Sequence, residues 1–219
     1  MALGAVAAPY ELRFDAGRVC LDLLATTHPG ERLDGVGPLR AWIVGAGLVP
    51  PGTPLAHTDA TWSADFRQLR FHISGLVSGG LQLPSTVRSL DVTPGRVREG
   101  AQVRRGRPRV DATALARVNE AARAAPPAAR AVLAGDGTFV RELTGPPSCA
   151  ALLAVVARDA VDLLTDPVAR AGLRQCEGDN CPIVYVDTSR GRRRRWCSSE
   201  VCGNRERVAR HRRRAAAPT

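Results

Sequence analysis

The sequence predicts an α+β protein: a mostly helical N-terminal domain carrying small β-hairpins, followed by a short cysteine-rich module. Three observations lead there. Apolar residues recur every three or four positions through residues 60–77 and 149–164, the period of a helix with one buried face. Gly135-Asp136-Gly137 separates two short β-prone runs, which is a hairpin signal. Four of the six cysteines fall within residues 176–202.

In chain order, residues 1–8 carry no pattern and are expected to be a loose end. Residues 10–14 alternate apolar and polar, as in a short strand, ahead of the turn Asp15-Ala16-Gly17. Val19-Cys20-Leu21-Asp22-Leu23-Leu24-Ala25 reads as a helix. Asp22 is its one charge, read as capping or pairing with an arginine, against the alternative of an effector contact. A second helix is expected over residues 38–46, with Pro38 in its first turn and Gly47 as its stop. Thr58 or Asp59 then caps a long helix whose core face carries Trp62, Phe66, Leu69, Ile73, Leu76 and Val77.

The period fades after residue 78. Glycines and prolines punctuate the chain there, and Arg88, Arg96, Arg98, Arg104, Arg105, Arg107 and Arg109 make it basic. Residues 79–110 read as a basic insertion, with a loose hairpin over 96–110. It is either a second nucleic-acid contact or a solvated excursion. Asp111 caps a helix with Leu115, Val118 and Ala122 inward. The hairpin strands are expected over residues 129–133 and 138–143. Ser148 opens another helix with Leu152, Leu153, Val156, Ala160, Leu163 and Leu164 on one side, ending at Asp166-Pro167. The short connection to Cys176 predicts that the last module packs on the first domain. The domain bounds are 1–172, 173–214 and a tail over 215–219.

Cys176/Cys181 and Cys197/Cys202 each enclose four residues, and fifteen lie between the pairs. Two such hooks close a tetrahedron of thiolates, which suits one structural Zn²⁺. Gly178-Asp179-Asn180 supplies the first turn. Ile183-Val184-Tyr185-Val186 reads as a strand, and Arg194-Arg195-Trp196 as its returning partner. Five residues along an α-helix leave about 140° of excess rotation, so Cys197 must precede the last helix and Cys202 must lie near its first turns. The layout resembles a treble-clef finger. A segment this short buries too little apolar surface to fold without the metal.

The formal charge is +10, and it is uneven: residues 174–214 hold twelve Arg and five acids, the first 173 residues nineteen Arg and sixteen acids. There is no Lys. The candidate nucleic-acid contacts are Arg192, Arg193 and Arg194 at the hairpin tip and Arg205, Arg207, Arg210, Arg212, Arg213 and Arg214 on the last helix. Val201 and Val208, seven apart, are expected to pack inward while arginine covers the remaining surface. A solvated basic tail is the alternative. Asn204 is expected to hold the turn beside the thiolates through backbone bonds.

Asp187-Thr188-Ser189-Arg190, Arg195-Trp196-Cys197-Ser198 and Cys202-Gly203-Asn204-Arg205 resemble the signature of the CGNR zinc-finger family. The resemblance implies a zinc-binding, DNA-binding C-terminal module joined to an N-terminal ABATE domain, a stress-induced transcription regulator. Cys20-Leu21-Asp22-Leu23, Leu39, Trp42 and Gly47-Leu48 resemble the start of that domain. Ala25 stands where the family often has Asn.

No H-E-x-x-H, G-x-S-x-G, P-loop or dinucleotide fingerprint is present, and four cysteines leave zinc no open position, so no enzyme activity is expected. No leader pattern or apolar run near eighteen residues occurs, and two cysteines stand alone. Those features predict a cytoplasmic protein outside the membrane. The expected partner is nucleic acid, duplex DNA before RNA, because Tyr185 and Trp196 read as hairpin core and leave no aromatic for stacking on bases. The first domain is expected to sense a small-molecule effector or to pair two copies as a homodimer. An RNA-binding zinc module and an adaptor for an acidic protein remain the alternatives.

Overall fold

The structure is a computed structural model, and it describes residues 12–80 and 111–215. The expected loose end, the basic insertion from residue 81 onward with its hairpin, and the tail past 215 lie outside the described residues. Seven α-helices are described: α1 (Val19–Ala25), α2 (Val36–Gly45), α3 (Ala60–Gly80), α4 (Ala112–Ala122), α5 (Cys149–Thr165), α6 (Pro167–Ala171) and α7 (Asn204–Ala215). Two antiparallel two-stranded sheets accompany them, β1 (Ala129–Leu133) with β2 (Phe139–Leu143) and β3 (Leu173–Gln175) with β4 (Val184–Val186).

α3, α4, α5 and α6 begin where side chains satisfy their first amides, whereas α1 and α2 have no side-chain cap. Asp59 Oδ1 accepts the N–H of Thr61 at 2.9 Å and of Trp62 at 3.3 Å. Thr58, the other candidate cap, is buried. Asp111 accepts from Thr113 and Ala114, Ser148 from Ala151, and Asp166 from Val168. At the hairpin turn, the Ala134 N–H donates to the Thr138 carbonyl at 2.8 Å.

α3, α4 and α5 pack on one another, α1 lies against α3 and α5, and α2 rests on α3. Their shared core includes Leu21, Leu23, Trp42, Phe66, Ile73, Val118, Leu152 and Leu163, all fully buried. The whole expected stripe of α3 is inside. On α4 the inward residues are Ala114 and Val118, while Leu115, expected inside, is 39% exposed. Each residue advances the helix by about 100°, so a one-position change in the facing residue swings Leu115 out and lets an alanine meet the neighbouring helices. Residues 12–14 join no strand; Arg13 instead turns back on Asp15 at 2.7 Å.

Buried polar groups are paired across the fold, as desolvation demands. Asp22 accepts the Ala16 N–H at 3.0 Å, and burial pushes its carboxyl up to about 6. The partner is a backbone amide ahead of α1, in place of the expected helix cap or arginine pair. Arg70 donates to Thr26 at 2.7 Å and to Glu31 at 2.8 Å. Those bonds hold the Glu31 carboxyl down at about 2. Arg18 pairs with Asp159, which also accepts the Cys20 N–H.

The last module packs on the first, as the short connection predicted. The Val186 N–H donates to the Ala16 carbonyl at 2.9 Å. Gly17 has φ +86°, and a Cβ there would sit 3.4 Å from the Val186 carbonyl oxygen, so this crossing needs glycine. No described helix is long and apolar enough to cross a membrane.

Candidate metal centre and basic surface

β3 carries the chain into Cys176, and the Cys176 N–H extends the β3–β4 ladder by donating to the Ile183 carbonyl at 2.9 Å. Between them Gly178-Asp179-Asn180 turns the chain. Asn180 has φ +56°, a left-handed conformation asparagine tolerates. A Cβ on Gly178 would lie 3.2 Å from Cys202 Cβ and 3.4 Å from its sulfur, so the close approach of the two hooks depends on that glycine. The strand after the second cysteine therefore pairs with the strand before the first.

This corrects the expected pairing of Ile183-Val184-Tyr185-Val186 with Arg194-Arg195-Trp196. Side chains take the place of a ladder there. Asp187 accepts the N–H of Ser189 and of Arg194, both at 2.9 Å, and the Tyr185 hydroxyl donates to the Arg194 carbonyl at 2.6 Å.

The second hook precedes the last helix, as the rotation argument required. Ser198 Oγ accepts from Glu200 and Val201, each at 3.2 Å, and its carbonyl accepts the Gly203 N–H at 2.9 Å. These bonds close a π-helical turn over Ser199–Gly203 that holds Cys202 and leads into α7. Asn204 adds its backbone N–H to the Val201 carbonyl, as expected, while its side chain is exposed.

All four cysteines are buried, and their sulfurs lie within 4.8 Å of one another. Cys197 Sγ is 3.6 Å from both Cys181 Sγ and Cys202 Sγ. A disulfide would need about 2.05 Å, whereas a zinc tetrahedron with Zn–S of about 2.3 Å has edges of about 3.8 Å. The N–H groups of Gly178 (3.4 Å) and Cys197 (3.3 Å) point at Cys176 Sγ, as suits a thiolate. Without a cation the four cannot all ionise. Hydrogen bonds from the Cys181 and Cys197 thiols draw Cys176 far down, and Cys181 is pushed up to about 12 by its bond to Cys176. A divalent cation removes that conflict by letting all four bind as thiolates. The set fits one structural zinc ion and fills its coordination.

The expected basic surface divides. Arg194 is half-buried and committed: its guanidinium donates to the carbonyls of Asp15 (3.0 Å), Trp196 (2.8 Å) and Cys197, and lies 4.6 Å from the Tyr185 ring centroid. The distant Asp15 carbonyl was not legible in the sequence. Arg195 pairs with Glu177 at 2.6 Å and sits 5.3 Å from the Trp196 ring centroid. Trp196, expected as hairpin core, is only half-buried, while Tyr185 is fully buried.

Arg192 and Arg193 are exposed at the tip. On α7 no residue is buried. Arg207 donates to the Ser199 carbonyl and Arg213 lies 3.9 Å from Glu206. Arg205, Arg210, Arg212 and Arg214 make no side-chain hydrogen bond or ion pair among the described residues. Val201 and Val208 do not pack inward; they are 42% and 49% exposed. Burial first, and then the charge of Arg205, lower the His28 imidazole below its ordinary value.

Residues 17–167 match the ABATE family, described as "putative stress-induced transcription regulator". Residues 173–215 match the CGNR zinc finger. No curated protein matches the chain. With the matched region covering α1 to the start of α6 and the four thiols clustered behind it, the chain belongs to the ABATE family and ends in a CGNR zinc finger.

Proposed function

We propose that the protein is a non-catalytic, cytoplasmic transcription regulator that binds duplex DNA through its zinc finger, in a stress response. In this reading residues 1–172 sense an effector or pair two copies, and residues 173–214 dock on DNA. The observation that carries it is α7, anchored at its N-terminus by the metal site, with no buried residue and with Arg205, Arg210, Arg212 and Arg214 free of partners among the described residues. A rigid helix that presents unpaired guanidinium groups suits a phosphate backbone, where arginine donates in pairs and counterions are released. The same arginines set affinity without reading sequence.

The test is binding of the zinc-loaded full chain to random duplex DNA, single strands and structured RNA at two salt concentrations. Duplex is expected to bind best, with strong salt sensitivity. Replacing Arg210, Arg212 and Arg213 by Ala is expected to flatten the log–log salt dependence by about 2–3 units. An unchanged slope would place the interface elsewhere. Exposed Val201 and Val208 favour a second reading, an adaptor whose α7 holds an acidic protein. Failure to bind any nucleic acid at low salt would select it.

A further inference from the structure

Where the finger meets the first domain, a cleft of about 420 Å³ opens between Asp15 and the stretch from Arg193 to Glu200. That size falls within the range of small-molecule sites. Its wall includes the half-buried Trp196, the finger's one large aromatic that reaches the surface, since Tyr185 is fully enclosed. Arg195 stands by that ring. Arg193 and Glu200 also line the cleft, and neither side chain has an ion pair or hydrogen bond among the described residues. The cleft's backbone is held in place by the Arg194 bonds to Asp15, Trp196 and Cys197, so its walls are set before any ligand arrives.

We propose that this cleft binds a nucleotide, its base stacked on Trp196 and its phosphate held by Arg193, while Arg195 stays paired with Glu177. Glu200 then accepts hydrogen bonds from a base amino group or a sugar hydroxyl. The composition selects this class. Bare phosphate would leave the indole unused and meet repulsion from Glu200. An uncharged aromatic would bury the unpaired Arg193 without a counter-charge. A nucleotide supplies a π-face, an anion and hydrogen-bond donors together. The nucleotide comes either free, as an effector, or as an unpaired residue of a nucleic-acid strand, and the two share this chemistry.

The experiment uses tryptophan fluorescence of the zinc-loaded full chain. Trp42 and Trp62 are buried in the helical core, so a quench on binding belongs to Trp196. The probes are adenosine 5′-monophosphate, inorganic phosphate, a DNA hairpin duplex with one extrahelical adenine, and the same duplex fully paired. Quenching by the mononucleotide assigns the free source. Quenching by the bulged duplex beyond the paired one, with a silent mononucleotide, assigns the strand source. In the quenching case Arg193→Ala is expected to weaken binding about tenfold. Trp196→Phe, which keeps a ring in the partly packed position, is expected to weaken it several-fold by calorimetry with zinc content unchanged.

The proposal is overturned if neither nucleotide source quenches, if inorganic phosphate quenches equally, or if Arg193→Ala binds as the parent does. The α7 reading fails separately: paired duplex that binds while Trp196 stays silent to every probe overturns the cleft alone. Mononucleotide quenching without duplex binding overturns the DNA reading alone.

Discussion

The helical region and the finger keep their backbones out of water by different means. Beneath α3 and α5, Trp42, Phe66, Ile73, Leu152 and Leu163 are all fully buried, and each such side chain contributes about 1.5–3 kcal/mol by burial. The finger has Tyr185 as its one fully enclosed large side chain, with Ile183 and Val186 beside it, and half of its remaining buried positions are the cysteines. Stability in the first is spread over many contacts, and in the second it is concentrated in one ion. The two are nonetheless one apolar cluster, joined where β4 meets the chain ahead of α1. Loss of the ion should therefore be abrupt for the finger and felt only at the seam by the helices.

The largest test removes one ligand. Cys181→Ser is expected to release zinc and unfold the chain after about residue 175, a loss on the order of 10 kcal/mol for the finger. Amide signals of α3 and α5 should persist. Unchanged metal content would break the contrast at its base. The converse is Phe66→Ala, expected to cost the helical region about 3–5 kcal/mol while zinc stoichiometry holds. Simultaneous zinc loss would show that the regions fold as one unit.

Arg194→Ala probes the seam. It strips donors from the carbonyls of Asp15, Trp196 and Cys197, and a loss of about 2–3 kcal/mol is expected, read as faster amide exchange at Val186. Arg194→Lys should not restore it, because an ammonium lacks the planar fork that reaches several carbonyls. Exchange unchanged in both variants would leave the seam to β4 alone.

The smallest effect is in pH. Glu31, held at about 2 by Arg70, adds stability that is complete above its ordinary 4.5 and lost as pH falls toward 2. Asp22, raised by burial from 3.8 to about 6, works oppositely: its ionisation costs stability as pH rises through that window. Glu31→Gln should remove the acid-side loss, worth about 1 kcal/mol or less because Glu31 is partly solvated. A thermal melting profile from pH 2 to 5 identical to the parent's would assign the acid sensitivity elsewhere.

Much was legible before any coordinates. Cys176, Cys181, Cys197 and Cys202 declared a metal site because ligand spacing is a local property, and α1, α3, α5 and the β1–β2 hairpin declared themselves through period, caps and turn residues. The misplacements share a cause. β3 was passed over because three residues with no strong strand pattern pair only once Val184–Val186 lies beside them. Leu115 turned outward because the facing helices chose the alanine side of α4. Arg194 looked like its neighbours at the tip, yet it is bound to a carbonyl 179 positions away, and no run of like residues encodes such a partner. Local chemistry sets what a segment can become, so ligands, caps and helix faces follow from the residue order. Which side is buried, which arginine is committed and where a cleft opens depend on long-range contacts, which exist only after the chain has folded.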